Sequence, residues 1–339
     1  MANRNTETLE DRIGKYLVGH LDTYIFDELS ENFLKKNGFD DILTGVPVPV
    51  NKKELTKLSI KSLAVNMAVV IGCDVNFQHR DSYIEFIIRN YTKDFAKFLV
   101  GEGIDSATKN GYLYACILFR AAFLIDHENA DAIYCYGRAC KDCYEAGDSE
   151  EYVGLFKAEA LEAFEKVTLK KPDFDMGFYF LGYGYLNLGM YVKAKLTFES
   201  FLKLSANEEM KEEVSQWIVK LEEPVKIEAG YNLVVSGRFQ EGIDALIPYT
   251  ENENFNKWWP LWHYLGVANK ELGYLEMAEG YFLNVLKLSP SNLESMDELV
   301  KVYDAMGNSE RAEKYRTKIS VIKGNMEKDK ALALEEVKQ

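Results

Sequence analysis

Apolar residues recur along most of this chain at steps of three and four, the period of a helix with one buried face. Phe178, Leu181, Gly182 and Tyr185 share such a face, and Gly189 marks the end of that helix. Ala194, Phe198 and Phe201 form the inner stripe of the next. The same order returns downstream as Trp262, Leu265 and Gly266, followed by Ala278, Phe282 and Pro290. In both copies the alanine follows the glycine by twelve residues, so the two segments share one ruler. Small residues at those two positions let a pair of helix backbones approach, while the aromatics fill the wedge to the next pair. A fixed spacing of this kind predicts a repeat of antiparallel helix pairs.

The ruler extends in both directions. A unit starting at Leu293 follows in register with Met296, Leu299, Tyr303, Gly307 and Ala312, though Val300 and Arg316 replace the packing glycine and the aromatic. Upstream, Ile133, Tyr136, Gly137 and Cys140 open a unit that resumes at Ala160, Phe164, Val167 and Pro172. Its glycine-to-alanine step is 23 residues, so 11 residues are inserted around Ala146–Ser149 and should lengthen both helices around their turn. Ala115, Phe119 and Ala122 read as the second helix of an earlier unit, whose first helix runs from about Asp94 to Ala107. Ala229, Gly230, Gly237, Gly242 and Leu246 form a weaker copy, preceded by an extra helix over 208–223 that carries Trp217.

These residues resemble the tetratricopeptide repeat, which has Leu-Gly at positions 7 and 8, Tyr at 11, Ala at 20, Phe at 24 and Pro at 32 of a 34-residue unit. The resemblance covers about 92–322 in about six units. It implies an all-α fold, a right-handed superhelical solenoid of antiparallel helix pairs, and a concave groove lined by each unit's first helix. It also implies a non-catalytic scaffold that binds a protein or peptide segment.

Residues 1–91 do not fit the ruler. Ile13, Leu17, Leu21, Ile25 and Leu29 stand at steps of four and predict an amphipathic helix over 11–35. The run Val46-Pro47-Val48-Pro49-Val50 should be extended, because each proline pushes its predecessor out of the helical region. Helices are expected again over 54–71 and 82–90. The expected organisation is therefore a helical cap over 1–91, a solenoid over 92–322 with insertions near 146–158 and 208–223, and a polar helix or tail over 323–339.

Composition narrows the partner. A net charge of −14 over 339 residues lacks the basic surface that nucleic acid or anionic membrane requires. No apolar stretch is long enough to span a bilayer, and no secretory signal is visible at the polar N-terminus. Five cysteines, an odd number with scattered spacing, fit a reducing cytoplasm.

Candidate chemistry is sparse. Cys135, Cys140 and Cys143 lack a second ligand pair for zinc and read as core thiols, and no metal or cofactor is expected. The glycines from Gly182 to Gly189 follow no strand and spell no nucleotide fingerprint. No nucleophile or acid–base constellation stands out, so no catalytic residue is assigned. The groove positions of the family correspond here to Arg138, Lys141, Tyr179, Phe180, Tyr183, Asn187, His263, Tyr264 and Lys270. The Lys and Asn combination with which chaperone-binding members clamp a terminal carboxylate is missing. Two readings of the aromatics stay open: they anchor a partner, or neighbouring helices and the 208–223 insert cover them. A second functional reading is a peptide-responsive regulator whose N-terminal module acts on a target protein.

Overall fold

A computed structural model describes residues 8–53 and 59–336, with side chains through residue 328. It divides into two compact units. The first takes residues up to 189 together with 196–214, and the second takes 190–195 together with the residues from 215 onward.

The first unit opens with α1 (Gly14–Leu17), a 3-10 turn (Val18–Thr23) and strand β1 (Tyr24–Asp27). Two short helices follow, α2 (Glu31–Asn37) and α3 (Asp40–Leu43), and then strand β2 (Val48–Asn51). The two strands pair antiparallel, with Tyr24 opposite Asn51 and Asp27 opposite Val48. The single helix expected over 11–35 is thus corrected to two short helices, α1 and the start of α2, separated by a 3-10 turn and a strand. Only Ile13 and Leu17 of its apolar stripe are fully buried. Beyond them, the β-branched and aromatic run Thr23–Phe26 prefers an extended backbone, and the proline-stiffened segment 46–50 offers it a partner. The Asn66 side chain donates to the Pro49 carbonyl at 3.1 Å and the Tyr83 hydroxyl donates to that of Pro47, which ties the ribbon to the helices beneath it.

Those helices are α4 (Ile60–Cys73) and α5 (Arg80–Tyr91). α4 is apolar nearly all round and wholly buried from Met67 to Cys73. Gly72 on α4 lies against the backbone of Ile117 on the first repeat pair, α6 (Phe95–Thr108) and α7 (Tyr112–Ile125). A Cβ at residue 72 would stand 2.1 Å from the Ile117 carbonyl oxygen. The N-terminal module is therefore packed on the repeats through a contact that admits no side chain.

The next pair is α8 (Ala130–Ala146) and α9 (Glu150–Lys170). Both run longer than their counterparts, so the inserted residues continue the two helices to a turn capped by Ser149, whose side chain accepts from the Tyr152 amide. α10 (Asp175–Asn187), the 196–204 part of α11 (Tyr191–Leu204) and the start of α12 (Glu208–Lys220) complete the first unit. The second unit carries three pairs: α13 (Glu222–Val235) with α14 (Phe239–Leu246), α15 (Trp259–Glu271) with α16 (Leu275–Leu288), and α17 (Leu293–Ala305) with α18 (Ser309–Glu336).

One contact explains the ruler. A Cβ built on Gly182 would meet the Phe198 ring at 2.4 Å, and one on Gly266 would meet the Phe282 ring at 2.6 Å. Gly103 faces Phe119 at 2.5 Å, Gly137 faces Phe164 at 2.8 Å, and Gly230 faces Leu246 at 2.6 Å in the same way. Glycine and facing side chain are 16 residues apart, except across the insertion, where the separation is 16 plus the 11 added residues. Seven residues after the packing position the chain turns with positive φ, at Asn110, Gly189, Gly237, Gly273 and Gly307. These pairs pack as tetratricopeptide helix pairs, with a close glycine approach followed by a left-handed C-terminal turn. Among the described residues, no helix is long and apolar enough to cross a membrane.

Candidate functional site

Within the first unit, the first helices α8 and α10 bring the expected aromatics together. Asn129 caps α8 by accepting from the Ala132 amide, which sets Tyr134, Arg138 and Lys141 on successive turns of one face. Phe180 stacks on Phe164 with ring centroids 5.4 Å apart and planes inclined by 18°. The Arg138 guanidinium lies over the Phe180 ring at 4.4 Å and donates to the Tyr134 hydroxyl at 3.2 Å. Its Nε is buried without a hydrogen-bond partner among the described residues. Tyr134 packs edge-on against Phe174 at 4.8 Å, and burial pushes its phenol above the ordinary value.

Tyr179 and Tyr183 are half-buried rather than free. Tyr179 tilts against Phe201 at 5.3 Å, and Tyr183 meets Phe198 edge-on at 5.2 Å. Both phenols donate to the Glu213 carboxylate on α12. The added helix therefore does reach these two side chains, through one carboxylate. Phe180 is held by Phe164 and Arg138 instead.

A cavity of about 700 Å³ opens between α8, α9 and α10. Phe180, Tyr183, Leu161 and Tyr144 supply its apolar wall, with Lys141, Glu145, Lys157 and Asn187 at its polar positions. Val153, Gly154 and Lys157 belong to the part of α9 that the insertion adds, so this cavity exists because the pair is lengthened. Gly184 lets α10 approach Leu161 on α9, since a Cβ there would come within 2.8 Å of that side chain. Lys141 pairs with Glu145 one turn along α8, whereas Lys157 lies over the Tyr144 ring at 5.6 Å. Burial raises the Asp142 carboxyl, against the lowering effect of Arg138 and Lys141.

The remaining expected residues lie in the second unit, where they are used internally. Tyr264 stacks on Tyr231 at 4.5 Å. Lys270 pairs with Glu298 at 2.5 Å and with Glu271 at 2.8 Å, and only 17% of its side chain is exposed. His263 shares a hydrogen bond of 2.8 Å with the Ser295 hydroxyl and packs on Phe282. Burial lowers the His263 pKa from its ordinary 6.5, against Glu294 and Glu298, which raise it. The unfolded chain then takes up that proton more readily than the folded one, so stability is full above pH 6.5 and falls as the pH drops below it. Denaturant titrations between about pH 7.5 and pH 5 should show this loss, and His263→Gln should make it smaller.

The cysteines converge more than their spacing implied. Cys116 Sγ lies 3.8 Å from that of Cys140 and 3.9 Å from that of Cys143, all three buried. Among the described residues, no group of three His, Cys, Asp or Glu is arranged to hold a metal ion.

No family model matches the chain, and no curated protein does either. Among solved structures it is similar to the TPR domain of P58(IPK), at 11% identity over 91% of this chain and 88% of that one, with a TM-score of 0.44. It is also similar to MamA, at 13% identity over 69% of this chain and 95% of that one, with a TM-score of 0.29. A third is YrrB, described as a TPR protein with an unusual peptide-binding site, at 18% identity over 65% of this chain and 98% of that one, again with a TM-score of 0.29. In this chain the type of helix pair is set by the packing of each glycine against the side chain that faces it.

Proposed function

We propose that this protein is a non-catalytic scaffold that binds a peptide or protein segment in the groove between α8, α9 and α10. One observation carries the reading: the lengthened repeat builds a cavity of about 700 Å³ with aromatic side chains in its wall, lined also by Lys157 and by Lys141, the latter paired with Glu145. Aromatic side chains offer large contact area at low entropic cost and often anchor partners. Among the described residues, Lys157 is the cavity's one cation not paired with the lining carboxylate, and it favours a segment that sets an acidic group beside an apolar side chain. Lys141, Phe180, Tyr183 and Asn187 are the contact residues, with Arg138 supporting Phe180 from behind and Tyr179 supporting Tyr183 through their shared carboxylate. His263, Tyr264 and Lys270 form a second, mostly internally paired set. We place the chain in a reducing cytoplasm on its five scattered cysteines.

Peptides selected on the full chain from a displayed random library test the reading. Lys157→Glu should weaken the selected peptides about tenfold or more, equivalent to about 1.4 kcal/mol, with an unchanged melting temperature. Lys36→Glu, an exposed change on α2, should leave their affinity unaltered. Equal affinity for both variants would remove the groove from consideration. Small-angle scattering with the same peptide separates a passive scaffold, which keeps its profile, from a peptide-driven regulator, which does not.

A further inference from the structure

Three thiols meet in the first unit between α7 and α8, and the groove uses none of them. Cys116 Sγ on α7 stands 3.8 Å from Cys140 Sγ and 3.9 Å from Cys143 Sγ, both on α8. These hydrogen bonds raise the Cys116 thiol and lower the other two, as expected when Cys116 is the donor and either neighbour the acceptor. Burial still dominates at Cys116 and Cys140 and pushes both above the ordinary thiol value. At Cys143 the hydrogen bond from Cys116 outweighs burial, the Tyr152 hydroxyl acts in the same direction, and the thiol is held below that value. Burial pushes Cys73 up to about 12 and Cys135 to about 11. Cys143 is therefore the readiest thiolate of the five cysteines, and the thiolate is the form that reacts.

Depth points to the same residue. Cys116 and Cys140 have no exposed surface, whereas Cys143 keeps 2%. It lies within one turn of the end of α8, where Ala146 and Asp148 are exposed. With His20, Tyr114, Gly147 and Tyr152 it lines a cleft of about 650 Å³. Helix ends open locally far more readily than buried helix middles, so a reagent little larger than water reaches Cys143 before the other two thiols. A Cys116–Cys143 disulfide needs little movement. Closing 3.9 Å to the about 2.05 Å of an S–S bond takes each sulfur about 1 Å, within the reach of side-chain rotation.

We propose that Cys143 and Cys116 are an oxidisable pair that takes hydrogen peroxide as co-reactant and closes to a disulfide between α7 and α8. The Cys143 thiolate attacks one peroxide oxygen, the O–O bond breaks, and the leaving hydroxide takes up the proton that Cys143 released and departs as water. Cys143 is then a sulfenic acid. The Cys116 sulfur attacks the Cys143 sulfur, the S–S bond forms, the S–O bond breaks, and the Cys116 proton leaves with the hydroxide as a second water. Two thiols are oxidised and one peroxide is reduced to two waters. The pair is separate from the α8–α10 groove and does not depend on it.

The full chain, first reduced and then exposed to hydrogen peroxide under native conditions, tests this by mass-spectrometric mapping of its peptides. The wild type should yield a linked peptide pair carrying Cys116 and Cys143, with Cys73 and Cys135 still free to alkylate after unfolding. Cys116→Ala should leave Cys143 as a sulfenic acid that dimedone captures. Cys143→Ala should slow the oxidation of Cys116 about tenfold or more, and Cys140→Ala should leave the linkage forming as in the wild type. Unchanged near-ultraviolet circular dichroism before oxidation checks the packing of each variant, and the wild-type map requires no variant. Five unaltered thiols in the wild type, Cys73 or Cys135 oxidised as fast as Cys143, or Cys116 lost at the wild-type rate in folded Cys143→Ala would overturn the proposal.

Discussion

Replacing Gly72 with alanine is expected to destabilise the first unit by about 3 kcal/mol, at the upper end of what overpacking usually costs. The added methyl group would stand 2.1 Å from the Ile117 carbonyl oxygen and 2.9 Å from its carbon. A side-chain neighbour can rotate away, but a helix backbone cannot, so α4 and α7 would have to separate. Helix propensity works in the opposite direction, favouring alanine by about 1 kcal/mol, so a net loss must come from the contact. The denaturant midpoint of Gly72→Ala measures it. Gly101→Ala is the companion: it sits on α6 with nothing beyond its own helix backbone within 4 Å of its Cβ position and should be neutral or slightly stabilising.

The second large effect concerns the ruler itself. Phe282 is fully buried, and Phe282→Ala should cost about 3–5 kcal/mol. Gly266→Ala alone should also destabilise, since its Cβ meets three atoms of that ring within 2.8 Å. In combination the two should be less harmful than their sum, because truncating the ring makes the room that the methyl group needs. A coupling of about 1–3 kcal/mol is expected in a double-mutant cycle. Additive losses would mean that the glycine is required for some reason other than the ring. The same cycle on Gly182 and Phe198 should give the same sign.

The repeat is legible because one steric requirement recurs at fixed spacing. Leu-Gly pairs at 181–182 and 265–266 announce it, and the weaker copy around Gly230 packs by the same glycine-to-side-chain contact. The first pair is harder to read. Gly103 is one of two glycines on its helix, and its turn residue is Asn110 rather than glycine, although Asn tolerates the left-handed region better than most residues. The N-terminal module misleads between 11 and 35 because a four-residue apolar step looks helical, while the partner that makes it a strand lies some 25 residues later. Local periodicity cannot report such a pairing.

The candidate site is legible in part. Arg138, Phe180 and Tyr183 stand at groove positions in the repeat. What no spacing can show is that Glu213, 30 residues from Tyr183, closes over that phenol and over Tyr179. Nor can it show that Lys270 is engaged by Glu298. The insertion after Gly137 is visible as a count of residues, yet its consequence, a cavity walled by the lengthened α9, depends on the helices continuing to the turn.

The most direct measurement of the groove reading locates a bound peptide. A library-selected peptide carrying benzophenone at its aromatic position, irradiated on the full chain, should attach to Tyr144, Leu161, Phe180 or Tyr183, as identified by mass spectrometry of the adducts. Attachment confined to residues of the second unit, or undiminished by Lys157→Glu, would contradict it.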